Sequence, residues 1–207
     1  MPSEPLSLEK SIKARFAPVL RSDGYLGSGR VFRRLVGGMI CIVQFQGSLD
    51  GGKFAVNLGI HPVVIDVLGF MPDPKKLNEA GCEFRRRLTA TGPDQWWLYW
   101  DQSSLDLAVD DALHVYETVG RGVFVTQTGP DAPLDVITPE GFADGRLDLS
   151  GFRTTDVRTA WAIAIMRLAA GRKDDAKAFA QLALARLGGA SGLRRELEEI
   201  AEGRFNA

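Results

Sequence analysis

Two histidines and two cysteines in 207 residues leave little material for metal or thiol chemistry. Neither His61 nor His114 has a second histidine or cysteine three or four positions on, and no Cys-x-x-Cys occurs, so no metal and no cofactor is expected. No serine stands in a Gly-x-Ser-x-Gly elbow. Gly27-Ser28-Gly29 precedes a strand pattern, whereas a phosphate cradle needs a helix N-terminus beyond its glycines. With 25 basic against 26 acidic side chains there is no bulk field to draw the chain to nucleic acid or to an anionic membrane. No apolar run approaches the roughly 20 residues of a membrane span. Met1-Pro-Ser-Glu-Pro5 has no basic region followed by an apolar core, so a secretory signal is not expected and a cytoplasmic location is. Cys41 and Cys82 sit singly in apolar-alternating segments, the pattern of reduced, buried thiols.

What is present is a clear succession of elements. Ser7 can cap a helix that stacks Leu8, Ile12, Phe16 and Leu20 on one stripe, with Pro18 expected to kink or restart it. Residues 30–36 and 39–46 flank Gly37-Gly38, a link able to adopt the positive φ angles of a tight hairpin. That register sets Val36 against Met39, Arg34 against Cys41 and Phe32 against Val43. Residues 53–60 continue the meander, Phe54, Val56, Leu58 and Ile60 alternating with Ala55, Asn57 and Gly59. Residues 63–68 suit a short helix or a strand. Residues 82–88 and 95–100 read as two more strands, and 104–119 as a helix. Residues 130–150, rich in Pro, Gly and Asp, read as a connecting loop with at most one short helix. Three helices follow, over 155–170, 174–187 and 191–202. The fold class is α+β: a mainly antiparallel sheet of about five strands packed with helices, plus a C-terminal helical lobe. The domain organisation expected is 7–128, a connecting loop 129–150, and a helical lobe 151–207.

Arg85-Arg86-Arg87 and Trp96-Trp97-Leu98-Tyr99-Trp100 concentrate cationic and aromatic side chains. Strand alternation divides them: Phe84, Arg86 and Leu88 oppose Arg85 and Arg87, and Trp96, Leu98 and Trp100 oppose Trp97 and Tyr99. Most of the tryptophans are expected in the core. The polar phase of the same strands brings Gln44, Gln46, Asn57, Arg85 and Arg87 to one face, with Trp97 as a stacking aromatic. Guanidinium and amide groups there can grip carboxylate or phosphate through paired donors, with Gly59 leaving bare backbone for close approach. The alternative is a solvated or helix-covered face whose arginines bridge local acids. Asp106 and Asp110 share a helix face, as a carboxylate pair would, or as the acids of an ordinary solvated helix do.

The order of these segments also resembles a known family. A leading helix, a hairpin into Phe45-Gln46-Gly47-Ser48, Phe54-Ala-Val-Asn-Leu-Gly-Ile60, Cys82 with Arg85 and Arg87-Leu88, and Asp94-Gln95-Trp96-Trp97 are similar to the bacterial domain of unknown function 4304, over about residues 8–120. The resemblance implies a bacterial protein with no assigned reaction and supplies no catalytic residues. The expected function is a non-enzymatic binding or interaction module, an immunity-type protein being one concrete version. The alternative is an enzyme or small-molecule-binding protein for an anionic ligand. The expected partner is accordingly a protein or an anionic small molecule.

Overall fold

Positive φ at Gly37 (57°) and Gly38 (72°) closes the first hairpin in two residues. It joins β2 (Val31–Val36) to β3 (Met39–Gly47) with Val36 facing Met39, Arg34 facing Cys41 and Phe32 facing Val43, as the alternation predicts. The chain, seen in a computed structural model, is described over residues 7–66, 71–189 and 192–204. Strand β4 (Lys53–Pro62) runs antiparallel along β3 from Phe54, opposite Gly47, to Pro62, opposite Met39. The sheet has six antiparallel strands in the order β1 (Leu26–Ser28), β2, β3, β4, β5 (Phe84–Arg87), with β6 (Trp97–Leu98) also on β4. The strand beyond the five expected is β1, three exposed residues with no apolar phase to betray them.

Period two sorts the sheet into unlike faces. Phe32, Cys41, Val43, Phe45, Phe54, Val56, Leu58, Ile60 and Phe84 are buried on one side. Helical segments cover them. Ser7 caps α1 (Leu8–Ser11), a π-helical turn spans Ile12–Phe16, and Pro18 falls in the first turn of α2 (Ala17–Ser22), where a proline is tolerated. Leu8, Ile12, Phe16 and Leu20 are all buried, and Phe16 meets Phe45 edge to face at 4.9 Å. Asp101 and Ser104 form a reciprocal cap on α3 (Gln102–Val115). After a π-helical turn, Tyr116–Gly120, the helix continues as α4 (Arg121–Thr128). It therefore runs past 119, the end expected from the sequence, with Gly120 and Gly122 inside it. Leu113, in phase with the core stripe, is only half-buried.

Residues 130–150 hold two short helices rather than at most one, α5 (Pro133–Val136) and α6 (Pro139–Ala143), each opened by a proline in its first turn. Thr155 caps α7 (Asp156–Ala169), which is followed by α8 (Lys173–Arg186) and α9 (Arg194–Ala201). Phe152, Ile163, Phe179, Leu197 and Ile200 belong to the same continuous core as the sheet, and Phe124 meets Phe152 at 5.9 Å. Residues 63 and 64 form a turn; 67 and 68, where a helix or strand was expected to continue, lie outside the described residues. Among the described residues no helix is long and apolar enough to cross a membrane.

The second sheet face is covered only in part. Ile40 and Ile42 pack with Leu77 and Cys82, brought over by the segment that contains a short 3-10 turn, Glu79–Gly81. Gly59 lies beneath it: a β-carbon there would come within 2.6 Å of Cys82 Sγ. The bare backbone expected to receive a ligand receives Cys82 instead. Both cysteines are free and buried, and burial pushes the Cys41 thiol up to about 12 and the Cys82 thiol up as well. Gly59→Ala should therefore lower stability by about 1–3 kcal/mol, the usual range for overpacking. The cost should be smaller in a Cys82→Ala background, as urea unfolding of the four members of the cycle would measure. Equal costs in both backgrounds would mean that Cys82 does not set the requirement for glycine.

Candidate functional site

On the second face the strand register lines up Gln44, Asn57 and Arg87 across β3, β4 and β5, and sets Gly59 beside Arg85. These side chains form two groups. In the first, Arg87 Nη1 donates to Asn57 Oδ1 at 2.6 Å and to Gln46 Oε1 at 3.2 Å, while Asn57 Nδ2 donates to Gln46 Oε1 at 3.0 Å. Arg87 Nε reaches Asp94 Oδ1 at 2.8 Å. In the second, Gln44 Oε1 accepts from the Glu79 backbone N–H at 2.9 Å, and Arg85 grips the Glu79 carboxylate through Nε (2.6 Å) and Nη2 (3.3 Å). Gln44 and Arg85 thus clamp the 78–82 segment down over Ile42 and Gly59, with the Glu79 side chain almost fully buried.

Trp97 does not join them. It sits on the opposite face, buried, stacked on Phe54 at 5.6 Å, and its Nε1 donates to Asp111 Oδ2 at 2.7 Å. Its phase decides this, because Trp97 pairs with Phe54, a core position of β4. The tryptophan that reaches the polar face is Trp96. Arg87 and Lys53 lie over its ring at 5.0 and 5.2 Å, and its Nε1 donates to Asp94 Oδ2 at 3.0 Å. Leu98, opposite Lys53, and Trp100 are 65% and 77% exposed. The signal was in the sequence: Trp96, Leu98 and Trp100 share the strand phase opposite the core, where Trp96 is half-buried and the other two are exposed. Asp106 and Asp110 are held by Ser11, Gln102 and Arg15, as the acids of a docked helix face.

Beyond β5 the chain returns at Arg153, whose backbone pairs with Arg85 (3.0 and 3.3 Å). A cleft of about 630 Å³ opens there, lined by His61, Cys82, Glu83, Arg85, Arg153 and Arg158 among others. The buried Glu83 carboxylate accepts from Arg158 Nε at 2.8 Å, from Arg158 Nη2, and from Thr154 Oγ1 at 3.3 Å. The Glu83 backbone N–H donates to His61 Nδ1 at 3.1 Å, so the ring proton sits on Nε2, which donates to Ile65 O at 2.8 Å. Burial holds His61 below its ordinary range, with Glu83 and Arg158 nearby acting in opposite senses. Among the described residues, no three His, Cys, Asp or Glu side chains gather as metal ligands.

Residues 16–124, more than half of the chain, match the family described as Domain of unknown function (DUF4304). The chain belongs to that family. The DUF4304 match thus begins at Phe16, inside the first helical stretch, and ends in α4. It contains Arg85, Arg87 and Trp96; Arg153 and Arg158 lie beyond it. No curated protein and no solved structure matches the chain.

Because the folded-state pKa of His61 lies below 6.5, the unfolded chain takes up the proton first on acidification. The stability this neutral ring contributes is present above about pH 6.5 and is lost as pH falls from there towards the folded pKa. Urea midpoints measured between about pH 7 and 5.5 should fall for the native sequence, and less steeply for His61→Asn. Identical slopes would show that His61 protonates freely in the folded chain.

Proposed function

We propose that this chain is a binding module of the bacterial cytoplasm rather than an enzyme, and that its second sheet face receives an acidic protein partner. One observation carries the reading: Leu98 and Trp100 stand out to solvent next to a half-buried Trp96 that Lys53 and Arg87 flank. Exposed apolar patches rimmed by polar groups mark interaction surfaces, and Trp and Arg dominate the energetics of such contacts. Gln46 and Asn57 form the amide rim next to Arg87, while Gln44 and Arg85 act one step back by holding the 78–82 segment. Leu49, on the turn between β3 and β4, is fully exposed as well. An immunity-type role, in which the face covers a toxin's acidic surface, is the concrete version of this reading. A family with no assigned reaction leaves room for it.

The other reading, an anionic small molecule on the arginine and amide face, must contend with Glu79 and Asp94, which already occupy Arg85 and Arg87. Co-expression with the product of the adjacent gene tests the first reading. A stable complex is expected that Leu98→Asp combined with Trp100→Asp abolishes while the thermal midpoint stays where it was. Arg85→Glu should instead lower the midpoint, because it leaves Glu79 buried beside a like charge. A complex unaffected by these two changes would place the interface elsewhere.

A further inference from the structure

The outer edge of β5 carries a feature that protein docking on the second face does not use. A cleft of about 280 Å³ lies between this edge, the 89–93 loop and the 151–153 segment, and all four of its charged lining residues are arginines: Arg85, Arg86, Arg87 and Arg153. β5 is an edge strand, and residues of both its phases line this one cleft. Charge accounting separates the four. Glu79 neutralises Arg85 and Asp94 neutralises Arg87. Arg86 and Arg153 have no carboxylate partner among the described residues.

Arg86 is half-buried. Its Nη1 donates to Ser150 O and its Nε to Arg87 O at 3.3 Å, which fixes the guanidinium plane and leaves Nη2 without a partner among the described residues. The 150–151 turn that supplies the carbonyl has positive φ at both residues, Ser150 (51°) and Gly151 (81°), and Gly151 lies against the Arg86 guanidinium. A non-glycine residue held at positive φ is uncommon and costs free energy. Here it accompanies a carbonyl turned onto a guanidinium rather than one bonded within a regular element. The Arg153 side chain is exposed and makes no hydrogen bond or ion pair with any described residue, although its backbone is fixed on β5. A half-buried guanidinium that meets two carbonyls and the Phe152 ring, 5.9 Å away, but no carboxylate keeps a charge that an incoming anion would compensate.

We infer that this cleft is an oxyanion site for a phosphate-type dianion, held between Arg86 and Arg153. Two unneutralised guanidinium groups match the charge of about −1.5 to −2 that a phosphate monoester carries near pH 7. Their planar donor forks suit its oxygens. The volume admits a phosphoryl-sized group and lies at or below the range of pockets that enclose whole drug-sized ligands, so the rest of the ligand projects into solvent.

The test is the thermal midpoint of the full chain titrated with inorganic phosphate at pH 7.5 and constant ionic strength. A ligand that binds only the folded state raises the midpoint in a saturable way. The native sequence should show that rise, sulfate should reproduce it, and chloride should not. Arg153→Ala, which removes no hydrogen bond or ion pair with a described residue, should keep the ligand-free midpoint and weaken phosphate binding about tenfold or more, the weight of one charged hydrogen bond. Arg195→Ala, which removes one charge from the surface of α9, serves as the control for general charge and salt effects and should leave the titration unchanged. Arg86→Lys, which keeps the charge and loses the fork, should also weaken binding. Indistinguishable phosphate titrations for the native sequence and Arg153→Ala, or no saturable rise in the native sequence, would overturn the assignment. A loss of binding in Arg195→Ala equal to that in Arg153→Ala would overturn it as well.

Discussion

The pairing of β3 with β4 is the constraint on which the rest of the molecule rests. Nine residues of β3 face nine of β4 in an unbroken antiparallel register. A slip of one residue would exchange Val43, Phe45, Val56 and Leu58 with Gln44, Gln46, Ala55 and Asn57. The apolar phase then recruits both helical segments of the first 130 residues, and the core reaches α7, α8 and α9 without a break. The polar phase is left for the 71–82 segment to cover at one end and for solvent at the other. The candidate surfaces are thus by-products of register: they lie where the second face or the β5 edge runs out of cover.

The joint between the sheet and the helices that follow residue 150 is electrostatic as well as apolar. Glu83 is buried at the start of β5, and its carboxylate is met by Arg158 and Thr154 from the segment that opens α7. Its own backbone N–H fixes the tautomer of His61. Truncating one partner of such a buried pair leaves a charge in a poor solvent, a cost of several kcal/mol. The edge of the sheet therefore holds its geometry only with the 150–158 segment in place, and both arginine-lined clefts depend on that segment.

Much of this was legible in the sequence, and the limits have physical causes. Gly37-Gly38 and the alternation around it specify the hairpin to the residue, because a two-residue link admits one register and the apolar phase selects the same one. The five polar face residues were found for the same reason. Trp97 was misplaced among them because aromatic richness was read ahead of phase: a strand turns successive side chains to opposite sides, and Phe54 opposite Trp97 fixes its side as the core. The partners of Arg85 could not be read, since Glu79 arrives through a loop and a 3-10 turn that carry no periodicity. Arg153 is still less legible. Its importance comes from a single bridge made across 68 residues of chain, and from what its side chain lacks.

The close approach of Cys82 to Gly59 gives the molecule two thiols buried at different depths. Cys82 ends a segment held by a few hydrogen bonds and a small apolar cluster, whereas Cys41 lies in the main core between β2 and β4. An alkylating reagent can reach the first when the 71–82 segment lifts, and the second only when the sheet itself comes apart. Local and global opening in a folded protein differ in free energy, and here each has its own chemical reporter within the native sequence. The rate at which Cys82 is modified measures how firmly Arg85 and Gln44 hold their cover, and Cys41 supplies the internal clock for complete unfolding.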